Sequence, residues 1–225
     1  MSERSNPYDY EEQAPPLDAQ WSARRALAEA VRRLNTLSVT TVADTEQLQQ
    51  VAEAVQQQVA LLEQQPQRGG RVAQIDPERD GQLQRSVVSH ELSPLSGLCN
   101  PLSAPMNLWF EDDEVRARVT LGWPYEGPPG CVHGGFIAAL FDEFLGMGQK
   151  LSKQPGFTGT LNIRYIKPTP LHRELNLRGR LVRIDGRKNI LRGEMYAGEN
   201  LTASCEGLFV HMPPDYLQRQ REAMQ

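Results

Sequence analysis

The stretch HGGFIAALFDEFLGMGQKL, residues 133–151, decides how the rest of this chain is read. Phe136, Ile137, Leu140, Phe141, Phe144, Leu145 and Met147 point in several directions around a helical wheel, so the helix is apolar nearly all round. Such a helix belongs inside a fold, wrapped by other elements. In that setting the adjacent acids Asp142 and Glu143 are the anomaly, because an isolated buried carboxylate is costly unless paired or hydrated. Gly135, Ala138, Ala139 and Gly146 lie at i−7, i−4, i−3 and i+4 from Asp142 and leave room for a ligand or a close-packed helix. A structural ion pair is the ordinary explanation of such an acid, but a functional carboxylate fits the small-residue stripe better.

The helix begins at His133-Gly134-Gly135. Two glycines are poor helix residues, yet they allow a backbone or ligand to come close. They also present N–H groups at the positive end of the helix dipole. That arrangement can polarise a carbonyl or hold an oxyanion.

Working outward, Met106–Phe110 and Val115–Leu121 flank the acidic turn Glu111-Asp112-Asp113-Glu114, as an antiparallel hairpin would. A turn-rich loop, GWPYEGPPG, leads into the helix. Four strand-like runs follow, at about 158–167, 173–185, 188–198 and 201–212, with turn signals at Asp185-Gly186 and Gly198-Glu199-Asn200. A hairpin, one helix and then a meander make an α+β fold, not an alternating parallel sheet.

The N-terminal part has a different texture. Residues 1–16 form an acidic arm ending in Pro15-Pro16 and read as flexible. Residues 17–66 read as a helical hairpin. Asp18 is a plausible N-cap for a first helix carrying Leu27, Val31 and Leu34 on one stripe. Asp44 and Gln47 have capping-box spacing ahead of the stripe Leu48, Val51, Val55, Val59 and Leu62. The hairpin could pack on itself, on the main domain or on a partner subunit. Residues 67–88 read as a linker, 89–214 as the main domain and 215–225 as a tail.

Composition bounds the function. The 225 residues carry 24 Lys+Arg and 28 Asp+Glu, a net charge of −4. This excludes the basic footprint of a nucleic-acid binder. No apolar run approaches the length of a membrane span, and the start of the chain has no apolar signal region. Three cysteines, Cys99, Cys131 and Cys205, suit a reducing cytoplasm better than a disulfide framework. The mean hydropathy of −0.52 belongs mainly to the arm, the Gln-rich hairpin and the linker.

GCVHGGFIAALFDE resembles the His-Gly-Gly helix signature of hotdog-fold acyl-CoA thioesterases of the phenylacetate-degradation type. The following TGTLNIRYIKPTPL is similar to the next strand of that family, especially in its human mitochondrial thioesterase-superfamily branch. The resemblance covers about residues 92–213. It implies a hotdog fold, an antiparallel sheet wrapped around one long helix, and hydrolysis of a thioester to a free acid and CoA. It implies Asp142 as general base or nucleophile, Gly135 with Gly134 as the oxyanion-binding backbone, and Thr158 as a hydroxyl that assists the acid or orients water. The ordinary alternative for Thr158 is a strand-start hydroxyl. His133 is read as a hydrogen-bonder that shapes the loop, and Glu143, about 100° round the helix, as secondary.

These roles imply an assembly. Gly134 and Asp142 are eight residues apart, about 12 Å along one helix, so one carbonyl cannot touch both. A shared site needs two chains, and a homodimer or a homotetramer is expected. Arg187 and Lys188, after a hairpin turn, are the candidates for the CoA phosphates, with Arg164 and Lys167 behind them. Phe144, Leu145 and Met106 are candidate acyl-pocket residues. No cofactor is expected, CoA being part of the substrate.

Other chemistries fit less well. Cys131 and His133 would point the same way on an extended segment, but no third orienting group is evident. His90, His133, His172 and His211 show no metal-ligand spacing. A hydratase would want different residues around its histidine. The rival from another class is a non-catalytic acyl-CoA-binding or regulatory protein of the same fold.

Overall fold

The computed structural model describes residues 18–70 and 90–211. The arm at 1–16, most of the 67–88 linker and the 215–225 tail lie outside the described residues.

Six strands form one antiparallel sheet: β1 (Asn107–Glu111), β2 (Glu114–Thr120), β3 (Gly156–Tyr165), β4 (Glu174–Asp185), β5 (Lys188–Ala197) and β6 (Asn200–His211). Their spatial order is β1-β2-β4-β5-β6-β3, so β1 and β3 are the edges. The expected hairpin closes at Glu111↔Glu114 over Asp112 and Asp113, both in the left-handed region, where a two-residue turn matches the sheet twist.

The apolar segment forms helix α3 (Gly134–Gly148), continued by a 3-10 turn at Gln149–Ser152. Ile137, Leu140, Phe141, Phe144 and Leu145 are buried against β2, β4, β5 and β6, sharing a core with Val115, Leu177, Leu191 and Phe209. Two cross-strand glycines let the helix approach. A Cβ on Gly179 would meet Phe144 Cε1 at 2.8 Å, and one on its neighbour Gly193 would meet Phe141 Cε1 at 3.2 Å. Together these features are the hotdog fold.

The helix is less enclosed than its composition predicts. His133, Gly135 and Asp142 are exposed, with Ala138, Ala139 and Gly146 half-buried. The small-residue stripe therefore faces outward in the single chain, beside edge strand β3. The reading of Asp142 as a buried acid is corrected: it is the exposed member of the pair, and Glu143 is the more enclosed.

Helix α1 (Ala19–Thr40) is capped by Asp18 Oδ1, which accepts from the Trp21 N–H at 2.9 Å. It docks on the main domain. Trp21 and Ala28 are buried, Arg25 forms an ion pair with Glu91, and Arg32 donates to the Leu98 and Asn100 carbonyls at 3.1 Å each. Helix α2 (Thr45–Glu63) carries the expected capping box between Asp44 and Gln47 but buries no residue. Of the three placements open to the hairpin, α1 takes the main domain, while Leu48, Val51, Val59 and Leu62 of α2 stay about half exposed.

Candidate active site

Thr158 Oγ1 donates to Asp142 Oδ1 at 2.7 Å. The two residues come from β3 and α3, and backbone geometry makes the meeting possible. Thr158 pairs with Phe209 and Thr160 with Leu208, leaving Gly159 as the extra residue of a bulge. A bulge bends its strand and re-aims a side chain. Thr158 thus sits within a strand that begins two residues earlier than the sequence suggests, at Gly156.

At the helix start, His133 is the N-cap, and its Nδ1 accepts the Gly135 N–H at 3.0 Å. With Nδ1 occupied as an acceptor, Nε2 is the ring nitrogen left to donate. The Gly134 carbonyl accepts from the Tyr165 hydroxyl at 2.9 Å, which ties the helix start to the far end of β3. One edge strand thereby grips α3 at both chemically interesting points.

Glu143 faces away from this site. Its Oε1 accepts from Ser93 Oγ at 2.5 Å and from Ser96 Oγ at 2.6 Å. Ser96 Oγ also lies 3.3 Å from His90 Nδ1. With its proton given to the carboxylate, the hydroxyl can accept from the imidazole. Ser93 and Ser96 are buried, so the carboxylate replaces their lost water contacts and pins segment 90–100 to α3. Nothing in the sequence reading flagged these serines; two hydroxyls three residues apart in a loop carry no signal until the fold sets an acid against them.

The basic candidates divide. Arg187 donates from Nε and Nη2 to the His211 carbonyl at 3.1 Å each, and the His211 N–H returns a bond to the Arg187 carbonyl at 2.7 Å. Lys167 Nζ donates to Asn200 Oδ1 at 3.0 Å. Lys188 and Arg164 are exposed. Lys188 pairs with Val210, which pairs with Phe157 next to Thr158, so the β4–β5 turn lies two strands from the Asp142–Thr158 pair, about 10 Å away. Phe144, Leu145 and Met106 are at most 1% exposed and belong to the core.

Among the described residues no group of three or more His, Cys, Asp or Glu could hold a metal ion, and no helix is long and apolar enough to cross a membrane. Cys131 does not form a dyad with the His133 Nδ1, which serves the helix cap.

Comparison with known proteins follows the same outline. Residues 129–204 match the family model described as the thioesterase superfamily. The acyl-coenzyme A thioesterase THEM4 of Bos taurus is 31% identical over 111 residues, 47% of this chain and 46% of that protein. Its Rattus norvegicus counterpart is 34% identical over 96 residues, 42% and 41% of the two chains. The chain thus spans less than half the length of these curated relatives. A solved protein described as a thioesterase superfamily protein is 35% identical, with a TM-score of 0.73 over 88% of this chain and 93% of its own. That coverage cannot be reached without the N-terminal helices, so the extension and the hotdog unit recur together, and the chain belongs to the thioesterase superfamily.

Proposed function

We propose that this protein is an acyl-CoA thioesterase that works as a homodimer, with two such dimers able to form a tetramer. The observation that carries the reading is the Thr158–Asp142 hydrogen bond on an exposed face of the helix that begins with His-Gly-Gly. THEM4 relatives with thioesterase names support the reaction class.

The thioester carbonyl would sit at the start of α3 of one subunit, its oxygen against the Gly134 N–H. The Gly135 N–H, held by His133 Nδ1 in the single chain, would join it when the imidazole turns aside. Asp142 of the partner subunit would then face the carbonyl carbon, because about 12 Å separate Gly134 from Asp142 within one helix. Thr158 fixes one carboxylate oxygen and turns the other toward the reacting centre. As general base, Asp142 takes a proton from water while the water oxygen bonds to the carbonyl carbon. The tetrahedral oxyanion collapses, the carbon–sulfur bond breaks, and CoA leaves as a thiol once protonated. As nucleophile, Asp142 would bond through a carboxylate oxygen to the carbonyl carbon, the carbon–sulfur bond would break with loss of the CoA thiolate, and water would open the resulting anhydride. Label from 18O-water found in the Asp142 side chain after a single turnover marks the nucleophilic route, because general-base hydrolysis places the water oxygen only in the product acid.

Edge strand β3 favours the dimer. Phe157 and Tyr165 are 50% and 54% exposed along it, and an unpaired edge bearing apolar side chains is a template for a second copy. Arg187 and Lys188 are proposed for the CoA phosphates, with Lys188 the more available. The free thiols Cys99, Cys131 and Cys205 suit a cytoplasmic setting.

The test is thiol release from a panel of acyl-CoAs by wild type and Asp142→Asn. Turnover by wild type that falls at least a thousandfold in the variant supports the reading. CoA binding without turnover of any thioester would instead favour a binding protein.

A further inference from the structure

A cleft of about 640 Å³ lies between α1 and the main domain. One wall is the C-terminal part of α1, with Leu37 and Val39. The other is formed by Leu102, Ala104 and Tyr125, and Phe136 of α3 completes it. Leu37, Val39 and Leu102 are 54%, 61% and 60% exposed. Large apolar side chains gathered at the lips of one concavity mark a contact site rather than scattered surface residues. The volume falls within the range of about 300–1,000 Å³ usual for small-molecule sites.

The cleft meets the proposed active site at Phe136. This residue follows Gly134-Gly135, and a long side chain on a helix leans back over the preceding turn. Its ring lies edge-on 4.9 Å from Tyr125 and 6.3 Å from His133. The aromatic wall is therefore continuous from the His-Gly-Gly turn into the cleft. Along α1 the wall from Arg32 to Val39 runs about 10 Å. Arg32 spends its guanidinium on the Leu98 and Asn100 carbonyls and on Glu29, so it fastens the wall. Arg33 is exposed.

We propose that this cleft receives the apolar acyl chain of the thioester, so that α1, outside the matched segment 129–204, sets the chain-length preference. The inference rests on the thioesterase reading above. With the carbonyl at Gly134, the chain passes over Phe136 and lies between Leu37 and Leu102 of the same subunit. The acid comes from the partner subunit. The single chain thus provides both the oxyanion end and the acyl cleft.

The test compares wild type with Leu37→Glu, Leu102→Glu and Val42→Glu, the last a fully exposed position outside the cleft. For each, kcat/KM is measured with acetyl-, octanoyl- and palmitoyl-CoA, and sodium decanoate is titrated calorimetrically. In wild type, kcat/KM rises from acetyl to octanoyl by about two- to fourfold per methylene, the fold-change expected for placing a CH2 against apolar walls. Leu37→Glu and Leu102→Glu lower the octanoyl-to-acetyl ratio at least tenfold and weaken decanoate binding at least tenfold, whereas Val42→Glu keeps both. A ratio unchanged by the two cleft variants overturns the proposal. If wild type hydrolyses none of the esters, the thioesterase reading fails by itself and decanoate decides the cleft. Binding lost in the two cleft variants upholds an apolar-acid site there; no binding, or equal binding by all four proteins, overturns it.

Discussion

The hydroxyl of Thr158 reaches Asp142 Oδ1 at 2.7 Å because a bulge at Gly159 turns the threonine toward α3. One carboxylate oxygen is thus held, and the orientation of the other follows from it. Thr158→Val keeps the shape and removes the donor. We expect kcat to fall by about ten- to a hundredfold, the scale of a small misplacement of a reacting group, with KM nearly unchanged. Thr158→Ser should recover most of the loss. Steady-state kinetics on one acyl-CoA checks this, and a rise in KM at constant kcat would assign Thr158 to substrate binding instead.

Glu143 gives a contrasting expectation despite its adjacency to Asp142. It accepts two buried serine hydroxyls on one oxygen, so its removal leaves both without an acceptor. Glu143→Ala should cost at least about 1.5–3 kcal/mol of stability, the range for one hydrogen bond to a charged group. Urea denaturation measures it. Loss of activity at unchanged stability would show that the acid takes part in the chemistry.

Much of this was legible in the sequence, for identifiable reasons. The β1–β2 hairpin and the meander announce themselves through Asp112-Asp113, Gly186 and Gly198, all at positive φ in their turns. The Asp44–Gln47 capping box is a strictly local code and is found as written. The exposure of Asp142 was not legible, because an apolar helix in sequence does not say which face its sheet leaves uncovered. The complete burial of Phe144 and Leu145 was hidden for the same reason: composition separates apolar from polar, but only packing separates a fully enclosed side chain from an exposed one. The docking of α1 was equally hidden. Arg25 and Arg32 look like a solvated basic face until Glu91 and two carbonyls from a segment more than sixty residues away are set against them.

That docking predicts a coupled loss. Glu91 is buried and ion-paired with Arg25, and the Cys99 thiol lies 3.2 Å from Glu91 Oε2. Burial, with the Glu91 charge behind it, pushes the Cys99 thiol up to about 12, which leaves almost no reactive thiolate near neutral pH. Arg25→Ala strands the carboxylate and should cost about 3–5 kcal/mol. It should also speed alkylation of Cys99 by iodoacetamide as α1 loosens. Stability lost without faster alkylation would mean that α1 stays seated.

Cys205 supplies a pH-dependent expectation. Burial first, then the charges of Asp142 and Glu206, raises its thiol from 9.0 to about 12. Between those values the unfolded chain loses the proton and the folded chain keeps it, so stability is fully present below pH 9 and declines as pH rises toward 12. The slope is about 1.4 kcal/mol per pH unit from this group. Cys205→Ala should be measurably flatter over that window in denaturation experiments. Equal slopes would show that the thiol titrates alike in both states.

The shared site can be tested by making two inactive chains repair one another. Gly134 is the first residue of α3, and His133 before it has φ −61° and ψ 132°, a conformation that accepts a following proline. Proline at the first helical position removes the N–H without breaking the helix, so Gly134→Pro deletes one of the two oxyanion donors, a loss of about a hundred- to a thousandfold, and Asp142→Asn deletes the acid. Each homodimer should be nearly inactive. A mixed dimer pairs the intact Asp142 of one chain with the intact Gly134 of the other and so restores one site of two. After co-refolding equal amounts, half of the dimers are mixed, and activity should return to about a quarter of wild type. Sites contained within single chains predict no recovery at any mixing ratio. Because neither variant can supply both groups alone, recovered turnover would require the helices of two subunits to meet at one carbonyl.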